Sequence, residues 1–120
     1  MPLTRDRMPE LLHHKLTTPW QVDQPIPLPE YPRPQMVRGN WQNLNGWWEC
    51  AIQNLEAPKP ISFTEKILVP FAPESRLSGV EHVLQPDEKL WYRRGFRVNH
   101  AADEVVMLHF GAVDFACELW

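Results

Sequence analysis

From Trp41 onward apolar and polar positions alternate with a period of two, the pattern of strands that bury one face. Over Gly46 to Gln53, Trp48, Cys50 and Ile52 fall on one face, and Trp47, Glu49 and Ala51 on the other. Asn45-Gly46 ahead of them is a turn signal. A second strand is predicted over Glu65 to Val69. It is closed by Pro70 and by a loop in which Pro73, Ser75, Ser78 and Gly79 interrupt regular structure. A third, Leu90 to Val98, puts Tyr92, Arg94, Phe96 and Val98 on one side. Glu104 to Phe110 is apolar on both faces for most of its length, which predicts a central strand covered from both sides. After Gly111 a last strand alternates Val113, Phe115, Cys117 and Leu119 with Asp114, Ala116, Glu118 and Trp120. No stretch beyond residue 40 holds apolar spacings of three and four. The expected class is therefore all-β, a β-sandwich, with at most a short helix near Pro9 to Leu16.

Proline changes the picture at the front of the chain. Eight of the 13 prolines lie in residues 1 to 34, and none follows Pro86. In Gln24 to Gln35, Pro25, Pro27, Pro29, Pro32 and Pro34 fix φ repeatedly and remove amide donors, which excludes a helix or a central strand. What is left is an extended, polyproline-like strap. Trp20, Ile26, Leu28 and Tyr31 punctuate it with apolar anchors and favour a strap laid across a folded body over a mobile linker. The organisation expected is a tail at 1–16, the strap at 17–40 and a β-sandwich body at 41–120. The final strand stops in mid-alternation at Leu119-Trp120 without a turn residue or charged tail, and we read the 120 residues as the front part of a longer protein.

At 120 residues and 43% hydrophobic content, one compact domain is the natural count. Twelve basic against 15 acidic residues give a net charge of -3 with no basic stripe, so neither nucleic acid nor a membrane surface is an expected partner. The longest apolar runs are about four or five residues, far below the roughly 20 that span a bilayer. No export signal is read at the N-terminus, so a cytoplasmic location is expected. Cys50 and Cys117 stand 67 positions apart, outside any paired motif, and imply neither a disulfide framework nor a zinc site.

The residues that could carry chemistry are few. Glu49, Glu74, Asp114 and Glu118 lie on or beside predicted strands. Asp114 and Glu118 share a face but stand about 13 Å apart along a strand. Glycosidase pairs are about 5 to 5.5 Å apart in retaining enzymes and about 6.5 to 9.5 Å in inverting ones, so this pair fits neither. Arg93 and Arg94 are adjacent and leave opposite faces, so both cannot clamp one anion. Either the inward one recognises a substrate carboxylate, or it pairs with a loop carboxylate such as Glu74 while the other stays in water; the need of a buried charge for a fixed partner favours the second. Trp47 and Trp48 also project oppositely: one belongs to the core, and the other lies under the strap or stacks on a sugar ring. His82, His100 and His109 are isolated, and no phosphate loop, nucleophile elbow or metal spacing is present; no cofactor is expected.

Several ordered blocks carry a family resemblance. They are Thr17-Thr18-Pro19-Trp20, Leu28 to Arg38 (LPEYPRPQMVR), Trp41 to Gly46 (WQNLNG) with Trp48, Ile67 to Ser75 (ILVPFAPES) with Leu77-Ser78-Gly79, Trp91-Tyr92-Arg93-Arg94 with Phe96, and Leu108 to Phe115 (LHFGAVDF). Over residues 17 to 120 the chain resembles the opening of family 2 glycoside hydrolases. The resemblance implies the N-terminal sugar-binding domain, a jelly-roll β-sandwich of the galactose-binding type, here incomplete. It is followed in that family by an immunoglobulin-like domain and a TIM barrel. It also implies retaining hydrolysis of β-glycosides such as β-galactosides, with both catalytic Glu residues in the barrel and none in this segment, and an oligomeric whole enzyme. Some β-galactosidases place an Asn ahead of the strand matching Leu90 to Val98. Asp87 stands nearest here and is the one substrate-adjacent candidate. Cys50 stands where the family has an aromatic, leaving space that neighbouring Trp residues must fill. The rival expectation is a free-standing, non-catalytic sandwich that binds carbohydrate or protein through exposed aromatics such as Trp47 or Trp120.

Overall fold

The computed structural model describes residues 26–120. The tail, the short helix expected near Pro9 to Leu16 and the front of the strap lie outside the described residues.

The strap meets the sheet through side-chain amides. Asn45 Nδ2 donates to the Pro27 carbonyl at 3.0 Å, and Asn43 Nδ2 donates to the Leu28 carbonyl at 3.0 Å. Proline-rich backbone has carbonyls to offer but few N–H groups, so donors from the body suit it. Pro27 is fully buried, and Tyr31 meets Trp41 edge-on with ring centroids 4.7 Å apart. Asn43 Oδ1 also accepts from Asn45 N at 2.8 Å, a side-chain turn just ahead of the first strand. Gly46 follows at φ 120°, a backbone region that side chains resist.

Among the described residues three strands form one antiparallel sheet: β1 (Gly46–Asn54), β2 (Glu65–Val69) and β3 (Glu88–Arg93), in the order β2-β1-β3. The register pairs Trp48 with Ile67 and Cys50 with Glu65 on one side of β1. On the other side it pairs Cys50 with Tyr92 and Ile52 with Leu90. One face therefore collects Trp48, Cys50, Ile52, Ile67, Val69, Leu90 and Tyr92. The core sits there, with Cys50 and Ile67 at 0% exposure. The small thiol at the sheet's centre lets the Trp48 and Tyr92 rings approach edge-to-face, with centroids 6.2 Å apart.

The loop between β2 and β3 contains a single 3-10 turn, Arg76–Ser78. Ser75 caps it by accepting from Ser78 N, and Gly79 ends it in the left-handed region at φ 81°. Ser78 is fully buried because its hydroxyl reaches the carbonyls of Ser75 at 2.7 Å and Pro73 at 3.1 Å.

Among the described residues the all-β class holds; β2 matches its expected span, and β1 runs one residue past Gln53, to Asn54. The other strands need correction. β3 begins at Glu88 and ends at Arg93, so Arg94 to Val98 is not part of it. Its first residues, Glu88 and Lys89, are polar and enter because Asn54 and Gln53 of β1 stand opposite to pair with them. The segments 104–110 and 112–120, both expected as strands, form none. Their apolar side chains are exposed, Phe115 at 95% and Trp120 at 84%. Alternation specifies which face a strand would bury and says nothing of the edge it would bond to. The edges of β1 are taken by β2 and β3, and among the described residues no strand lies beyond either.

Candidate functional site

The side chains with chemical potential fall into two clusters at opposite ends of β3. At its C-terminal end stand Trp47, Trp48, Tyr92, Arg93 and Arg94. Arg93 is the last residue of β3 and Arg94 the first beyond it, and the two take different partners. Arg93 lies across from Glu49 in the register, and its Nε donates to the Glu49 carboxylate at 2.7 Å. That hydrogen bond is the main cause holding the Glu49 carboxyl below its ordinary pKa, and the same bond raises Arg93. The guanidinium also rests 4.3 Å from the centre of the Phe63 ring.

Arg94 is the half-buried one, and the pairing with Glu74 is corrected: its Nη1 donates to the carbonyls of Trp47 at 3.2 Å and Asn45 at 3.4 Å. These acceptors lie where the chain turns into β1, so the arginine reaches across the sheet to backbone and not to the loop. Its guanidinium carbon stands 5.8 Å from the centre of the Trp48 ring. Trp48 is half-buried and its indole N–H donates to the Leu44 carbonyl at 2.7 Å, which fixes the ring's orientation. Trp47 is the outward tryptophan, 53% exposed. It rests on Gly79, where an added Cβ would stand 3.4 Å from the indole, whereas the strap's contacts described above reach Trp41, Asn43 and Asn45.

At the N-terminal end of β3 the candidate Asp87 is exposed in a turn. Its carbonyl accepts from Leu55 N at 2.8 Å, and Oδ2 accepts from Asn54 Nδ2 at 3.5 Å. The residue thus closes the corner between β1 and β3. Asp87 and Arg94 flank β3, with the six residues of the strand, about 20 Å, between them, so the two do not share a site. Beside it sits a pair that sequence reading missed: His82 Nε2 lies 2.7 Å from Glu88 Oε2, which also accepts from Gln85 N at 2.9 Å. Bonding to His82 first, and to the Gln85 amide second, lowers the Glu88 pKa. His82 and Glu88 are six apart across a Pro-containing turn, a spacing with no sequence signature of its own.

The remaining candidates are dispersed. Glu74 is an exposed loop residue, and Asp114 and Glu118 lie exposed in the segment without strands, so their assumed common strand face does not exist. His109 meets the Trp41 ring with centroids 5.6 Å apart, and Lys59 lies 5.7 Å from the Trp120 ring centre. Among the described residues no group of three or more His, Cys, Asp or Glu is placed to hold a metal ion. The first cluster offers stacking and charge-assisted hydrogen bonds, and the second a clasp closing a loop. Neither a family model nor a curated protein sequence matches the chain.

Proposed function

We propose that the chain is the N-terminal sugar-binding portion of a retaining family 2 glycoside hydrolase, β-galactosidase-like, whose complete domain is a jelly-roll sandwich. The observation that carries this reading is the order of the resembling blocks together with the sheet they build. WQNLNG leads into β1, ILV ends β2 with PFAPES turning away from it, and WYR closes β3. Blocks far apart in the chain thus become neighbouring strands of one antiparallel sheet. In this reading 104–110 and 112–120 are strands of the complete sandwich, and their exposed apolar side chains are its unfilled inner faces.

The chemistry belongs to two carboxylates of a barrel outside this sequence. One attacks the anomeric carbon; the other first protonates the leaving oxygen and then activates water. The test is to read the coding frame past Trp120 and to assay the 120-residue chain and its extended form with aryl β-glycosides. Turnover by the extended form alone is the expected result. A stop codon directly after Trp120, or full turnover by the short chain, overturns the reading.

A further inference from the structure

Arg94 differs from every other arginine of the described residues in being only partly exposed. Its neighbour Arg93 has the Glu49 carboxylate at 2.7 Å, but Arg94 makes no ion pair among the described residues. A guanidinium presents five N–H donors. Nη1 takes the two carbonyls, which leaves the Nε–Nη2 edge without a partner among the described residues. That edge carries two parallel N–H vectors, the spacing that receives both oxygens of a carboxylate. Trp48 behind the guanidinium and Tyr92 edge-on to Trp48 supply apolar walls, where an ion pair is worth more than in open water. Backbone carbonyls orient the cation without neutralising it, and no carboxylate pairs with it among the described residues.

We propose that Arg94 anchors a carboxylate-binding site, the free edge of its guanidinium taking a carboxylate side-on while Trp48 backs it. A small organic acid and an acidic side chain of another polypeptide bring the same group, and the experiment separates them. The site stands independently of the glycosidase reading, since it needs no barrel and no sugar.

The test follows the Trp48 indole N–H and the Arg94 Nε–H by proton–nitrogen NMR in the 120-residue chain. It is titrated with acetate, benzoate and N-acetylglutamate α-amide, with chloride and inorganic phosphate at matched ionic strength. Saturable shifts of both signals with a carboxylate and not with chloride or phosphate are expected. Tighter binding of acetate or benzoate assigns the site to a free acid, and tighter binding of the glutamate derivative assigns it to a polypeptide side chain. Arg94→Lys, which keeps the charge and loses the fork, weakens binding at least tenfold, and Arg94→Met abolishes it. Absence of saturation with all three carboxylates, equal shifts with chloride or phosphate, or unchanged affinity in Arg94→Lys overturns the proposal. The lysine variant keeps the test decisive if the methionine variant does not fold.

Discussion

Ile67 and Ile61 have the same side chain and opposite surroundings. Ile67 is at 0% exposure in β2, opposite Trp48, and Ile61 is at 101% in the connection before β2. Truncating Ile67 to Ala removes three buried carbons, about 2.4 kcal/mol of transfer free energy at roughly 0.8 kcal/mol each. A cavity beside the Trp48 ring adds to this, which places Ile67→Ala at about 3 kcal/mol within the usual span of roughly 2 to 5. Ile67→Val, losing one carbon, costs about 1 kcal/mol. Ile61→Ala removes nothing from the core and stays within about 0.5 kcal/mol. Urea unfolding followed by tryptophan fluorescence reads the difference. With a slope of roughly 1.5 kcal/mol per molar, Ile67→Ala lowers the midpoint by about 2 M, and Ile61→Ala by no more than about 0.3 M. Equal midpoints for the two alanine variants would refute the placement of the core on the Trp48–Cys50–Ile67 face.

Three further outcomes follow from the same geometry. Gly79 sits at φ 81° against the Trp47 indole, so Gly79→Ala forces a side chain into the left-handed region and costs about 1 kcal/mol in the same urea assay, while Ala72→Gly in the same loop costs less. Bonding to His82 and the Gln85 amide depresses the folded-state Glu88 pKa below the ordinary 4.5, so its stabilising contribution is complete above that value and is lost as pH falls through the depressed one. Melting curves across the acid range should therefore lose less stability on acidification in Glu88→Gln than in the parent; identical acid limbs would contradict the clasp. Burial, and secondarily the charge of Glu65, raises the Cys50 thiol pKa, while Cys117 is exposed. A disulfide-exchange reagent then titrates one thiol in the native chain and a second only in denaturant, and rapid reaction of both in native buffer would count against a sealed Cys50.

The parts of the fold that were legible are those whose signal is local. Asn45-Gly46 announced the start of β1, Pro70 the end of β2, and alternation placed Trp48, Cys50 and Ile52 on the face that is buried. The misjudged parts depend on partners. Val98 has the residue type of a strand and no bonded neighbour; Glu88 lacks the type and is drawn in by Asn54 opposite. The same limit hid the candidate site. Alternation suggests that Arg93 and Arg94 cannot serve one partner, but Glu49 as the partner of one follows only from register, and the carbonyl acceptors of the other only from the turn at Asn45. His82 and Glu88 meet because Gln85-Pro86 folds the chain back, a closure that spacing does not encode.

β1 is central in the sheet and the first of the three described strands in chain order, and this has a consequence for how the protein is made. Its nearest pairing to β2, Cys50 with Glu65, spans 15 residues, whereas its nearest pairing to β3, Asn54 with Glu88, spans 34. A hairpin can therefore close early, with the longer loop adding its strand afterwards. Until the ribosome has delivered Arg93, one side of the Trp48–Cys50–Ile52 strand is bare hydrogen-bonding edge, and a nascent chain in that condition is a natural client for a holding chaperone.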